Sequence, residues 1–419
     1  MSVSLPPPDP LHDDYNGQLA YLPPGNLEWL PITEDAYKLF TGSEEIDQGA
    51  LQRIKGNQSA LSELFASALQ VPNLGFFAGS GTSLGPVNGP SMWRLWTEAM
   101  CSDPKGERLT EPATAVCEVV QYTEMHSPNI EHFLSQCDAF LAFNQNEMVE
   151  NFVRQVKALI LRLCTNFLSQ PGSDITCYRH LLQKLARRRV RDPRLKVFTT
   201  NYDMCFETAA SDLGMVVVDG LSYTRKRRFD GRHFSYDIVR RESDKHEFVE
   251  GIFQFHKLHG SVSWSREDNG IYEDGAPSPD NACLIYPAKG KYQQAFIQPH
   301  LELLSRFLDF LRQPNSCLVI AGFGFNDDHL SEPVLSAIQS NPGLKLILAD
   351  HRCIAHVHNR GHHGSSPYWS KFHELALKGF DIHFIGGSFR DVVDRIPYLR
   401  AISPAEQLAN AVRRLGNGE

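Results

Sequence analysis

Hydrophobic and polar positions along the chain fall into two alternating rhythms. Short apolar runs at Leu74–Ala78, Lys196–Thr200, Phe253–Leu258, Cys317–Ala321, Leu344–Ala349 and Phe380–Ile385 have strand length. Helical spacing separates several of them. The clearest case is Asn146–Leu168, where Val149, Phe152, Val153, Val156, Leu159, Ile160, Leu163 and Phe167 form an i, i+3, i+4, i+7 stripe. Weaker helical stretches at Thr114–Glu124 and Ile130–Phe143 precede it, so a helical block spans about residues 90–170. Apolar strands separated by helices predict an α/β fold, a parallel sheet covered on both faces.

Other segments depart from this rhythm. Residues 1–68 open with prolines (Pro6, Pro7, Pro8, Pro10, Pro23, Pro24) and close on a helical pattern at Leu61, Leu64, Phe65, Ala68 and Leu69. They are expected to form an N-terminal arm that packs on the body or on another subunit. Residues 223–291 are polar and turn-rich (Asp230-Gly231, Asp268-Asn-Gly270, Asp274-Gly275, Pro277, Pro279), which predicts a small lobe of hairpins. Ser403-Pro-Ala-Glu406 has capping-box spacing with proline at the first helical position, predicting a helix within 401–419. The remaining body, residues 69–400, reads as one α/β domain. No internal repeat is present.

Composition narrows the class. The 419 residues carry 41 basic and 49 acidic side chains, a net charge of −8, and 42% are hydrophobic, so a largely disordered or fibrous chain is excluded. Mild acidity argues against a general nucleic-acid coat while leaving room for a local basic groove. No apolar stretch approaches the ~18 residues that cross a bilayer. The N-terminus has neither the basic nor the apolar region of a secretory signal, and the nine cysteines show no pairing rhythm. A reduced, cytoplasmic protein is expected. Because no C-x-x-C or C-x-x-x-x-C pair occurs, a four-thiolate zinc ribbon is excluded and no metal site is expected.

Five polar clusters each close a predicted strand, where open parallel sheets bind ligands. Gly79-Ser-Gly-Thr-Ser83 can let backbone amides approach a pyrophosphate, or be an ordinary tight turn. Thr199-Thr-Asn-Tyr-Asp203 places Asn201 and Asp203 toward a ligand, or supplies a helix N-cap. His256-Lys-Leu-His-Gly-Ser261 presents an imidazole suited to pass a proton, or a structural hydrogen-bonder. Gly322-Phe-Gly-Phe-Asn-Asp-Asp-His329 follows the strongest apolar strand, with Phe323 and Phe325 lining a groove or packing in the core. Asp350 ends Leu346-Ile-Leu-Ala349, where an acid commonly accepts from a ribose hydroxyl.

The order and separation of G-S-G-T-S, T-T-N-Y-D, L-H-G-S and G-F-G-F-N-D resemble the sirtuin family over roughly Leu74 to Asp350. Within it the chain looks like the zinc-free sirtuin-like proteins of bacterial anti-phage defence, some of which associate with a hexameric HerA-type ATPase. The resemblance implies a Rossmann-like parallel sheet that binds NAD. Gly79, Ser80, Gly81, Thr82 and Ser83 would cradle the pyrophosphate, and Gly322, Gly324, Phe325 and Asn326 would lie on the adenosine side, with Asp350 near its ribose. Asn201 would sit beside the nicotinamide ribose, Asp203 would hold the carboxamide, and His259 would be the catalytic histidine.

Two departures matter. Only Cys205 and Cys283 stand near where zinc-bearing sirtuins place four cysteines, and Gly89-Pro-Ser-Met-Trp-Arg-Leu95 replaces the G-I-P-D-F-R-type segment of protein deacylases. The expected activity is therefore NAD hydrolysis to ADP-ribose and nicotinamide, with Asn201 orienting water and His259 bonding a ribose hydroxyl or taking up the proton. The rivals are an NAD-dependent deacylase or ADP-ribosyltransferase, and a non-catalytic NAD or ADP-ribose sensor. A homo-oligomer is expected as the regulated form.

Other signals carry less. The basic runs Arg187, Arg188, Arg189, Arg191, Arg194, Lys196 and Arg225, Lys226, Arg227, Arg228, Arg232 read as solvated faces, or as a surface for DNA or an acidic partner. Cys353, His356, His358, His362 and His363 cluster without a common zinc spacing and read as a polar loop. Trp93 and Trp96 are assigned to packing.

Overall fold

The structure is a computed structural model that describes residues 15–124, 129–188, 192–242, 245–285, 297–358 and 366–398. Its strands are β1 (Ala20–Leu22), β2 (Leu30–Pro31), β3 (Asn73–Ala78), β4 (Leu195–Thr199), β5 (Val216–Val218), β6 (Val239–Glu242), β7 (Lys245–Phe248), β8 (Ile252–Lys257), β9 (Gly260–Glu267), β10 (Gly270–Glu273), β11 (Ala282–Leu284), β12 (Ser316–Ala321), β13 (Leu344–Asp350) and β14 (Ile382–Gly386). Nine of them form one sheet in the order β2-β1-β14-β13-β12-β3-β4-β8-β5. From β14 to β5 every pairing is parallel. The six predicted strands are thus β3, β4, β8, β12, β13 and β14, and the α/β class with helices on both faces is correct.

Alternation along each strand divides the core. Phe77, Phe198, Leu318, Ile320, Leu346 and Leu348 face one layer with the helices His300–Leu311, Asp328–Ser340 and Pro367–Leu377. Phe76, Val197, Val319 and Ile347 face the other, against the helices Gln48–Ala68, Thr176–Leu185 and Cys205–Asp212. Burial on both sides explains why these strands read as unbroken apolar runs. Chain order runs outward from β3 to β4 and then from β12 to β13 and β14, so the topological switch lies between β3 and β12. Pairing of Ala78 with Ala321 and Thr199, of Thr199 with Lys257, and of Ala321 with Ala349 ends five strands at one level. The loops that leave them share one edge.

The helical block forms as read, as Met92–Met100, Glu111–Val120, Ile130–Leu141 and Glu147–Asn166. Each begins on a side-chain cap, Ser91, Thr110, Asn129 or Asn146, whose oxygen accepts an amide of the first turn. Its separate core includes Trp96, Phe133, Val149, Phe152 and Val156 and reaches the sheet through Tyr202, Val262 and Leu284. Trp96 is buried as expected, whereas Trp93 is 48% exposed.

Two expectations take a more definite form. Of the two placements expected for the N-terminal segment, residues 15–68 pack on the body: β1 pairs antiparallel with β14 and the Gln48–Ala68 helix buries Leu61, Leu64, Phe65 and Ala68 in the core. Three- and two-residue strands are too short to show a period, which is why they were missed. The small lobe is not one continuous segment. β9, β10 and β11 form a three-stranded antiparallel sheet and β6 pairs with β7, but β8 between them is a central strand of the main sheet. Residues 1–14 and the C-terminal helix expected at 401–419 lie outside the described residues.

Candidate functional site

The site is assembled from four loops at the common strand edge. Leaving β3, the chain enters a 3-10 turn at Ser80–Ser83. Gly79 N–H donates to Ala321 O and Gly81 N–H to Gly322 O, both at 2.9 Å. Gly322 has φ +61, and a Cβ there would stand 2.6 Å from Thr82 N. One at Gly79 would stand 2.4 Å from Gly322 O. The glycines of two sequence-distant motifs therefore interlock backbone against backbone. Their amides are spent on that contact, which the sequence reading had reserved for a phosphate.

Leaving β4, Thr199 Oγ1 donates to Ala78 O (2.8 Å) and accepts from Asn201 N–H (3.0 Å), which turns Asn201 back over β3. Asn201 Nδ2 donates to Ser83 Oγ (2.9 Å) and Thr82 Oγ1 (3.3 Å). Ser83 Oγ donates to Asp203 Oδ2 (2.6 Å), and Tyr178 OH donates to Thr82 Oγ1 (2.9 Å). With both amide hydrogens bound on one side, Asn201 Oδ1 is a buried acceptor with no hydrogen-bond partner among the described residues. An orphaned buried acceptor costs roughly 1–3 kcal/mol, so its persistence is an observation that asks for a ligand. Asp203 Oδ1 accepts from Cys205 N–H at 3.1 Å. Both Asp203 oxygens thus already hold protein groups.

Leaving β8, Lys257 is 1% exposed and its Nζ donates to the carbonyl oxygens of Tyr202 (3.2 Å) and Asp203, and to Glu207 Oε1 (2.7 Å). It clamps the Asn201–Asp203 turn from beneath. Burial pushes the Glu207 carboxyl up, opposed by Lys257. Gly260, with φ +84, follows His259; a Cβ there would stand 2.1 Å from Cys283 O, so only glycine lets β9 depart here. His259 Nε2 lies 3.2 Å from His329 Nε2. His300 Nδ1 meets Leu258 O at 3.1 Å, and burial holds its pKa at about 4, so it is neutral and donates.

These loops enclose a cavity of about 220 Å³. Of the residues singled out in the sequence, Ser80, Ser83, Asn201, Asp203, His259, Phe323, Gly324 and Asn326 line it. Gly79, Gly81, Thr82, Gly322, Phe325 and Asp350 do not. Phe325 is turned into the core against Trp369, edge-on at 5.1 Å. Asp350 ends β13 and accepts Arg352 N–H at 2.7 Å, with its carboxyl pushed up by burial. The helical insertion supplies the opposite wall through Pro90, Met92, Leu95, Asn129 and Glu131. Sequence reading missed Tyr178, Lys257 and His329; Lys257 and His329 stood within motifs that it singled out, without being singled out themselves.

The basic runs are largely occupied. Arg188 is buried and donates to Leu69 O and Pro72 O, and Arg194 forks onto Asp237. Arg227 forks onto Asp219, Lys226 pairs with Glu267, and Arg232 with Asp230. Arg189 and Arg191 lie outside the described residues, as do His362 and His363. No cluster of metal-ligating side chains occurs among the described residues, where His356 stacks on Trp369. No described helix is long and apolar enough to cross a membrane.

Residues 195–359 match the family described as SIR2-like domain. That interval carries Asn201, Asp203, His259, His329 and Asp350; the glycine turn after β3 precedes it. Among solved structures the chain is similar to one titled "Structural Basis for the Mechanism and Regulation of Sir2 Enzymes". The likeness is at 12% identity over 81% of this chain and 94% of that one, with a TM-score of 0.35. No curated protein matches.

Proposed function

We propose that this protein hydrolyses NAD at the nicotinamide–ribose bond, releasing ADP-ribose and nicotinamide. The carrying observation is Asn201: its amide is pinned by Ser83 and Thr82, its Oδ1 is a buried acceptor without a partner among the described residues, and the residue lines a cavity that His259 also lines. The match of residues 195–359 to the SIR2-like domain supports NAD as the substrate. A cavity of about 220 Å³ is below the roughly 300–1,000 Å³ of sites that enclose a whole drug-sized ligand, and fits the nicotinamide end of a dinucleotide.

Breaking the bond sends both electrons to the nicotinamide nitrogen and leaves positive charge on the ribose. Asn201 Oδ1 would accept from the attacking water or a ribose hydroxyl, and Asp203 supplies negative charge nearby. His259 bonds a ribose hydroxyl or takes up the water's proton. Since the Gly79 and Gly81 amides are engaged, pyrophosphate recognition falls to Ser80 and Asn326, with Asp350 assigned to the adenosine end. The wall from Pro90 to Glu131 occupies one side of the cavity and favours water over a peptide as acceptor.

An unregulated NAD hydrolase drains its own cell, so the proposal includes control by assembly, with further copies of the chain or a hexameric HerA-type ATPase, in anti-phage defence. A fully active monomer in size-exclusion chromatography contradicts that part. Incubation with NAD alone tests the chemistry, with the partner ATPase added if the chain alone is silent. Equal release of ADP-ribose and nicotinamide is expected. Release that requires an acyl-lysine peptide, or binding without turnover both alone and with the partner added, contradicts it.

A further inference from the structure

Two imidazoles whose Nε2 atoms stand 3.2 Å apart cannot both carry a proton at that atom. One must be the N–H and the other the bare nitrogen, so the tautomer of each ring dictates that of the other. Protonating both would turn two N–H groups and two positive charges on each other where the residues are only 3% and 7% exposed. The pair accommodates one added proton and resists a second. The rings are nearly parallel, 24° apart with centroids at 5.3 Å.

Nothing local brings them together. His259 follows β8, while His329 sits in the first turn of the Asp328–Ser340 helix after β12. The ends of β3 and β4 lie between these strands, and the two loops close over them. His259 lines the cavity; His329 stands behind it.

The geometry points to His329 as the positioning residue of His259, the two rings holding one shared proton that sets the working state of the catalytic imidazole. This rests on the hydrolytic reading above. As the C–N bond breaks, its electron pair leaves on nicotinamide and a lone pair of the water oxygen forms the new C–O bond. The proton that water sheds enters the pair at His259, is shared across the Nε2–Nε2 contact, and leaves to solvent with the products. Other titratable groups that line the cavity with His259 are Asp203 and Tyr202 after β4, and Glu131 and Cys164 from the helical insertion. Asp327 and Asp328 stand beside His329, and the neutral His300 lies behind Leu258. At a 3.2 Å separation the first added proton opposes the second.

The test follows histidine titration by NMR on the full chain labelled at imidazole Cε1, in the native sequence, His329→Gln and His259→Gln. Removing either ring is expected to move the other's midpoint by about one pH unit or more. In turnover, His329→Gln is expected to lower kcat about 10- to 100-fold with KM within about threefold, and to move the acid limb of the pH profile by the same interval. His329→Asn, with thermal melting of both variants, separates this from misfolding. A His259 midpoint unchanged by loss of His329 overturns the inference and leaves the hydrolase reading intact. Coupled titrations in a protein that never releases nicotinamide would instead overturn the hydrolase reading and leave the proton-sharing pair standing.

Discussion

Ser83 Oγ and Asp203 Oδ2 are joined at 2.6 Å, tying the turn after β3 to the turn after β4. A hydroxyl with one hydrogen gives it to the carboxylate and so can only accept from Asn201 Nδ2. The direction of that hydrogen bond fixes which way the Asn201 amide is turned. Asp203 thus reaches Asn201 through Ser83 and also lines the cavity itself.

Ser83→Ala is therefore expected to cost about 1–3 kcal/mol of stability by stranding Asp203 Oδ2. Turnover should fall further than binding, about 10- to 100-fold, because the Asn201 amide loses its preferred orientation. Denaturant melts and steady-state nicotinamide release measure the two. Ser83→Thr, which keeps the hydroxyl, should recover part of the loss; equal kcat in Ser83→Ala and the native chain contradicts the orienting role.

The buried Lys257 ammonium pairs with the half-buried Glu207 and also holds the Tyr202 and Asp203 carbonyl oxygens. Lys257→Met leaves Glu207 without its counter-charge and two carbonyl oxygens without their donor, and about 1–3 kcal/mol of destabilisation is expected. Adding Glu207→Leu should restore part of it, a coupling that a double-mutant cycle by chemical denaturation reads directly. Additive losses would show that the two residues act independently.

His256 is sandwiched between Phe198 (4.8 Å) and Phe234 (4.4 Å), neither ring nitrogen has a hydrogen-bond partner among the described residues, and burial pushes its pKa well below the ordinary value. The folded protein keeps it neutral, whereas the unfolded chain takes a proton as pH falls below about 6.5. Its contribution is thus undiminished above that pH and lost progressively below it. His256→Phe should be more stable than the native chain, and the gap should widen below pH 6.5 by up to about 1.4 kcal/mol per pH unit. Urea denaturation at pH 7 and 5 tests this; a gap that narrows toward pH 5 contradicts it.

The sheet and the site loops were legible for a shared reason. Strands buried on both faces must be apolar throughout, as in Ser316–Ala321, and must end where polar residues and glycine take over. What stayed hidden depends on partners distant in sequence. Lys257 reads as one polar residue in H-K-L-H and becomes a clamp only when β4 pairs with β8. Tyr178 reads as a core aromatic on an amphipathic helix, and its hydroxyl gains meaning only against Thr82, 96 residues away. Gly79 and Gly81 look like a phosphate cradle until the Ala321 and Gly322 carbonyl oxygens are seen to accept their amides. β1 and β2 escaped because segments of two or three residues carry no period.

The central claim is that NAD is cleaved where Asn201 and His259 meet the cavity. Parallel measurement of NAD binding and nicotinamide release by the native protein and Asn201→Ala tests it most directly. Retained binding, within about tenfold, with turnover reduced at least about 100-fold is the predicted result. Nicotinamide release by Asn201→Ala at the native rate would contradict it.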